Sequence, residues 1–281
     1  MPASRIRLIL FISLSMSMIF FLQPSFSEMS ISEKSLPEDI IIAELYQPGN
    51  GLPVGKIQSL RGDVVIFHRD DPAVGYRANT GLPLYQGDTI RTRNEAMMMG
   101  RLIDGGQFVL MPQTRLSILR CNYNSARKTS LSFLAVKQGE VLFQVKKSID
   151  LASFDFKIQT ETIFAQTKEA DFAVKAGSDR TDIFTFEDSR LEATSLAEPE
   201  RIIFLSDFQR LVAGNELGST TIEAVSQSEA AALKAQFRLV PQSKLFASSP
   251  DKYRSDRPQD AAEELPEIED SAIYDSPIDN P

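Results

Sequence analysis

Cysteine occurs once in this sequence, as Cys121, histidine once, as His68, and tryptophan not at all. A single cysteine excludes an intramolecular disulfide, so the fold has to rest on its apolar core. One cysteine and one histidine cannot supply the usual zinc ligand set within one chain. Any Ser-His-Asp or Cys-His arrangement has only His68 to serve as its base. Positive charge is also in deficit: 30 Lys and Arg stand against 38 Asp and Glu in 281 residues, a formal net charge of −8. From Asp251 onward ten acidic residues face only Lys252, Arg254 and Arg257, so the C-terminal stretch carries nearly all of the imbalance. The remaining body is close to neutral. That excludes a surface dedicated to nucleic acid, which needs a basic footprint against phosphates.

Long apolar runs are scarce too, and the one present is N-terminal. Arg5 and Arg7 precede a mostly apolar run from Leu8 to Leu22, after which Pro24 breaks the pattern. Ser25 and Ser27 place small residues at −3 and −1 of a cut before Glu28, the layout of a secretory signal over 1–27. The run falls short of the roughly 20 apolar residues that a spanning helix needs. Ser13, Ser15 and Ser17 dilute it further. The expectation is an exported protein, periplasmic or secreted, that meets a membrane only if this segment stays uncleaved. No cysteine follows the run to take a lipid.

What is abundant is short strand patterns with regular turn signals. Ile40 to Tyr46 is a β-branched run that suits a buried strand, and Pro48-Gly49-Asn50-Gly51 with Pro53 makes a turn-rich link. Strands are predicted over Lys56–Leu60, Asp63–Phe67 and Leu82–Ile90, with 68–79 as a loop carrying Asp70-Asp71-Pro72 and Gly75. The stretch Gly87–Leu116 reads as a hairpin turned at Asp104-Gly105-Gly106. Met98, Gly100 and Leu102 fall on its inner face, Met97, Met99 and Arg101 on the outer, and Phe108 and Leu110 return inside. Leu131–Lys137, a Gln138-Gly139 turn and Glu140–Val145 follow. Further strands are read at Phe154–Ile158, Phe172–Lys175, Ile183–Phe186, Leu191–Ala193 and Arg201–Leu205. Many short strands in series indicate an all-β sandwich, barrel or solenoid. One helix is predicted after the capping box Ser226-Gln227-Ser228-Glu229, with Ala230, Leu233 and Phe237 as the apolar stripe that packs on a sheet edge. Beyond Ala247 the chain is polar and acidic, a composition expected to be disordered.

No catalytic, cofactor-binding or metal-ligating residue is assigned from the sequence. His68, beside Arg69-Asp70-Asp71, has no motif supplying a nucleophile and orienting partner and is read as a loop histidine. Cys121 is read as a loop or strand-end thiol. Asp70-Asp71 and Asp179-x-x-Asp182 lack the spacing of a calcium loop and are read as solvated carboxylates. Asp104 is a turn former and Asp88 a strand-junction residue. The three methionines 97–99 cannot converge as thioether ligands if alternation separates them.

Six pieces stand in register with a known family. Gly55-Lys56-Ile57 with Gly62-Asp63-Val64, and Gly87-Asp88-Thr89-Ile90-Arg91-Thr92, resemble its opening strands and its "GD-x-I-x-T". Leu102 with Asp104-Gly105, and Leu110-x-Pro112-x-Thr114-x-Leu116, resemble "L-x-DG" and "L-x-P-x-S/T-x-L". Gln138-Gly139-Glu140-Val141 and Phe156-x-Ile158-x-Thr160 follow in order. On these residues the segment 55–194 resembles the FecR domain. It departs from that pattern at Thr167-Lys168-Glu169-Ala170-Asp171-Phe172, where the family has "V-R-G-T-x-F". It departs again at Asp188, which occupies a glycine place and predicts a remodelled turn. The resemblance implies an all-β, twisted solenoid-like or sandwich-like domain outside the cytoplasm. With seven residues ahead of the apolar run, it implies a stand-alone exported form rather than a regulator with a cytoplasmic anti-sigma segment. The expected organisation is a signal peptide (1–27), a segment with a short strand (28–54), the β domain (55–194), C-terminal strands and helix (195–247) and an acidic tail (248–281). The expected function is non-enzymatic: binding an envelope protein partner, with a structural or polysaccharide-binding envelope role as the alternative.

Overall fold

The computed structural model describes residues 41–146 and 151–239. The expected signal peptide and acidic tail lie outside the described residues. Among those described, seventeen strands and one helix follow one another. The first nine strands are β1 (Ile41–Ala43), β2 (Gly55–Arg61), β3 (Val64–His68), β4 (Asp71–Arg77), β5 (Pro83–Leu84), β6 (Thr89–Thr92), β7 (Met97–Leu102), β8 (Gln107–Leu110) and β9 (Arg115–Asn124). Then come β10 (Thr129–Val145), β11 (Ser153–Gln159), β12 (Ile163–Ala176), β13 (Arg180–Thr185), β14 (Arg190–Ser195), β15 (Ile202–Leu205), β16 (Gln209–Gly214) and β17 (Thr221–Ala224). The helix, α1, spans Gln227–Gln236.

The strands form two layers. One sheet runs β1-β4-β3-β6-β9-β10-β11-β12-β14-β15, antiparallel except at β1–β4 and β10–β11. The other runs β5-β2-β7-β8-β10-β12-β13-β16-β17, antiparallel throughout. β10 and β12 belong to both. Thr129–Ala135 of β10 pairs with β11 in the first sheet, and Gly139–Val145 pairs with β12 in the second. β12 crosses in the same way, with a register shift between Thr167 and Glu169 at the passage. The inner side chains of both layers make one core, in which Ile66, Ile90 and Phe156 of the first sheet meet Met98, Phe143 and Phe172 of the second. The Phe143 ring lies 5.6 Å from Phe156 and 5.2 Å from Phe172, bridging the layers. The all-β, sandwich-like expectation therefore holds.

Several local expectations need correction. The Gln138-Gly139 turn is no turn: β10 runs on through it, and Gly139 (φ +94°) marks where the strand changes sheets. The loop 68–79 contains β4, since Pro72 stands near the strand start and Gly75 is required by packing. A Cβ on Gly75 would fall 2.5 Å from the Val65 side chain and 2.8 Å from Phe67. The run at Ile41 is a strand, but on the sheet margin: β1 pairs with β4 alone, and Ile41 is exposed. Met97 is on the outer face as expected, but it is buried there. α1 crosses the outer face of the second sheet rather than its edge, and Ala230 and Phe237 join Met97, Val109, Leu142 and Ala173 in a second apolar cluster. Ser226 caps this helix as expected, its hydroxyl accepting from the Glu229 amide at 3.2 Å.

The turn at Asp188 is not remodelled. Asp188 takes φ +60°, the left-handed conformation that the glycine would have supplied, and Asp is among the few L-residues that tolerate it. Ser189 fixes the turn by donating to the Asp171 carbonyl at 2.7 Å and receiving the Asp171 amide at 3.1 Å. Asp188→Gly should then raise stability by up to about 1 kcal/mol, as relief of the left-handed cost exceeds the extra chain entropy. A denaturation midpoint that falls instead would show that the carboxylate holds the turn.

Candidate functional site

The paired ends of β3 and β6 bring His68 and Asp88 together at one end of the first sheet. Phe67 pairs with Thr89, which sets the end of β3 beside the start of β6. The turn Tyr85-Gln86-Gly87-Asp88 closes with the Asp88 amide donating to the Tyr85 carbonyl at 3.2 Å. The Tyr85 amide returns to Asp88 Oδ2 at 2.7 Å. Gly87 is required here, because φ is +93° and a Cβ would meet Arg69 Cβ at 2.6 Å. Asp88 is left 1% exposed, with Oδ1 aimed at His68 Nδ1 2.7 Å away.

His68 is therefore not a loop histidine. It ends β3, is buried, and its Nε2 lies 2.8 Å from the Gln47 carbonyl. Both ring nitrogens face acceptors, and only the doubly protonated imidazolium can donate to both. Burial by itself pushes the imidazolium pKa down. The hydrogen bond to Asp88, the charge of Asp88, the Gln47 carbonyl and Asp70 outweigh it, and the net displacement is upward. Tyr46, Tyr76 and Tyr85 surround the ring with centroids 5.6, 5.2 and 5.8 Å away. Burial and the nearby Asp88 raise the pKa of Tyr46, which stays a neutral phenol and donates to the Pro83 carbonyl at 3.0 Å. Gly49 passes so close that a Cβ would sit 3.0 Å from His68 Nδ1 and from the Tyr85 ring. The chemistry of this arrangement is a clasp. An imidazolium with both N–H groups committed has no lone pair for proton abstraction, and it fastens residues 46–49 across that end of the sheet.

Beside the clasp an open cleft of about 890 Å³ extends toward the far ends of β9–β11. Asn50, Asp70, Gln86, Asn124, Arg127 and Asp155 supply its polar lining, and Tyr123 is 46% exposed at it. Asp70 accepts from Asn50 Nδ2 at 2.6 Å and is the solvated carboxylate expected; Asp71 begins β4 and is exposed as well.

The other candidates lie apart. Asp104 is a turn former as read, with Oδ1 accepting the Gly106 amide at 2.9 Å, but it is buried and its second oxygen accepts from Ser132 Oγ. Ser132 Oγ in turn lies 3.3 Å from Cys121 Sγ. Cys121 is not a loop thiol: it sits within β9, 5% exposed, and burial pushes its pKa up to about 11. A buried, protonated thiol is a poor nucleophile. Iodoacetamide at neutral pH should leave it unmodified for hours in the folded chain and alkylate it at once in denaturant; fast native labelling would contradict this burial. Asp182 is buried, not solvated, with Oδ1 2.9 Å from both Arg180 and Arg210, which closes it to calcium. No group of three or more His, Cys, Asp or Glu placed to hold a metal occurs among the described residues. The clasp was missed in the sequence because its partners are twenty residues apart. The available signal was the Gly-Asp pair entering β6, with the chain's one histidine ending β3.

Residues 88–189 match the model of the FecR protein family. The matched stretch lies inside the 55–194 limits of the sequence resemblance. The match opens on Asp88, which closes the clasp, and ends on Ser189, in the turn between β13 and β14. Two crystal structures of a proposed anti-sigma factor from Parabacteroides distasonis are also similar. The first is 18% identical, with a TM-score of 0.41 over 52% of this chain, which spans 64% of that one's length. The second is 17% identical, with a TM-score of 0.41, covering 57% of this chain and 71% of the other. No curated protein matches the chain. Among the described residues no helix is long and apolar enough to cross a membrane.

Proposed function

We propose that this chain, whose residues 88–189 match the FecR family, is a non-catalytic exported module that binds a protein partner in the cell envelope and takes part in envelope signalling. The FecR match is the observation that carries the reading. The export pattern of Arg5, Arg7 and the apolar run 8–22 supports a periplasmic or secreted location. The committed nitrogens of His68 and the burial of Cys121 support a role without turnover. Cross-linking in intact cells followed by affinity purification is the test. A stoichiometric envelope protein in the adduct is expected, and recovery of the uncross-linked chain alone from the envelope fraction would refute the reading.

The open cleft favours a second reading, a polysaccharide-binding envelope protein. Amide, carboxylate and guanidinium groups beside an exposed tyrosine ring can match sugar hydroxyls and a sugar face. Retention on cell-wall polysaccharide that Tyr123→Ala abolishes would support it. Retention unchanged by that variant, or none at all, would remove it.

A further inference from the structure

The first sheet ends at β15 on an edge that carries no protection against further pairing. Among the described residues β15 pairs with β14 alone, in unbroken antiparallel register from Thr194 opposite Ile202 to Leu191 opposite Leu205. Its sequence is Ile202-Ile203-Phe204-Leu205, with neither the charge, the proline nor the bulge that ordinarily blunts an edge strand. Ile203 and Leu205 are buried in the core, whereas Ile202 is 58% and Phe204 71% exposed. The edge of the second sheet differs, since β17 carries Glu223, 3.8 Å from Arg210. Backbone direction on β15 follows from its neighbours. The Leu196 amide donates to the Thr162 carbonyl at 2.8 Å, so Leu196, Thr194 and Glu192 bond toward β12. Alternation turns Ala193 and Leu191 toward β15, where Ile203 and Leu205 answer them. The N–H and C=O groups of Ile202 and Phe204 therefore point away from β14, past the end of the sheet. Ser206 then closes the edge, its amide donating to Gln209 Oε1 at 2.8 Å and its carbonyl accepting from the Thr185 hydroxyl.

We propose that this edge is an interface between two copies of the chain, β15 pairing antiparallel with β15 of the second copy about a twofold axis at Ile203. Strand pairing keeps like faces together, so inner residues stand opposite inner ones and outer opposite outer. The axis of a twofold pairing must then fall on a residue. At Ile203 it sets Ile202 opposite Phe204 of the second copy, and Phe204 opposite Ile202 of the second copy. Each pair exchanges two hydrogen bonds, so every outward N–H and C=O of Ile202 and Phe204 is used. An axis at Phe204 would instead call on Ser206, whose amide and carbonyl are already committed. An axis at Ile202 would set the Phe204 ring opposite Glu200. The Ile203 axis also makes the exposed isoleucine and phenylalanine an apolar cross-strand pair, twice over. Charge agrees with it: Arg201 faces Leu205 and Glu200 faces Ser206, and Asp207 of the second copy lies diagonal to Arg201 on the same face. These matched groups, rather than apolar exposure alone, point to a second copy as the occupant. With four residues a side the contact is at the small end of specific interfaces, so pairing depends on concentration.

Sedimentation equilibrium of the full chain should show the mass rising toward twice the monomer as concentration increases. Phe204→Pro should abolish the rise. It removes an outward N–H and the ring but no bond to β14, so the fold stays, which far-UV circular dichroism checks. Phe204→Lys, beside Glu192 of its own chain, is the second variant and should abolish the rise too. Disulfide trapping reads the register. Residues opposite each other in a hydrogen-bonded pair have Cα atoms about 5.5 Å apart, within the range that a disulfide spans. Like residues would sit on the diagonal, at about 7–8 Å, beyond that range. A mixture of Ile202→Cys and Phe204→Cys chains should thus give the mixed dimer in preference to either like pair, with the buried Cys121 taking no part. A monomer mass at every concentration overturns the proposal, including the case in which another segment of the same chain covers the edge. So does association that both Phe204 variants leave intact, or trapping with no preference for the mixed pair.

Discussion

Gly139→Ala is expected to cost about 3–5 kcal/mol, the sum of a strained left-handed backbone and an overpacked contact. Gly139 holds φ +94°. A Cβ there would stand 2.4 Å from Thr114 Oγ1 and 2.6 Å from Thr114 Cα. The first atom can swing aside, but the second is backbone, and Thr114 is fully buried. Thr114 is also fixed by function in the fold. Its hydroxyl donates to the Glu140 carbonyl at 3.2 Å and accepts the Glu140 amide at 3.0 Å, stapling the point where β10 leaves one sheet for the other. Moving Thr114 therefore loosens the crossing itself, and with it the seat of Phe143 between Phe156 and Phe172. Urea denaturation measures the loss. A midpoint within error of the parent would mean the crossing absorbs the methyl group, and that the glycine is there for another reason.

The same crossing shows what could be read from the sequence. Gln138-Gly139 between two alternating runs reads as a hairpin turn, because glycine with positive φ serves turns and strand bends alike. Only the pairing distinguishes them: β10 finds β11 before Gly139 and β12 after it. The hairpin of β7 and β8 was legible because its information is local. Met98 pairs with Leu110 and Gly100 with Phe108, and Gly100 is needed since a Cβ would lie 2.3 Å from the Phe108 ring. The burial of Met97 was not legible, because the helix that covers it comes some 130 residues later. Asp188 illustrates the opposite error. A missing glycine reads as a changed turn, yet the backbone stayed and an aspartate accepted its conformation. For the candidate site the limit is of the same kind. His68 looks solvated beside Arg69-Asp70-Asp71, and its burial depends on Asp88 and on Gln47, each some twenty positions away.

That clasp carries the second large effect. Asp88→Ala should lower stability by about 3–5 kcal/mol near pH 6, since it leaves a buried imidazolium without its counter-charge. The parent chain has a pH dependence with a fixed sign. The folded pKa of His68 lies above its unfolded value near 6.5, so the folded state holds this proton more tightly than the unfolded state. The contribution is complete below about 6.5 and is lost as pH rises through the higher folded value. Titrating from pH 6 to pH 9 should thus lower the denaturation midpoint by way of this residue. Asp88→Asn keeps the size and a hydrogen-bond acceptor but removes the charge. Burial then gains weight against the remaining Gln47 carbonyl and Asp70, and the imidazole favours its neutral form. The His68 slope should flatten or reverse in that variant. A titration by histidine ring proton resonance on both chains separates this from other ionisations, because the sequence has one histidine. A parent resonance titrating at or below 6.5 would dissolve the clasp as a charged pair. The measurement also bears on the segment 46–49: if its Gln47 carbonyl is held by a proton, alkaline release of that proton should expose the Tyr46–Gly49 stretch to proteolysis before the sheets themselves unfold.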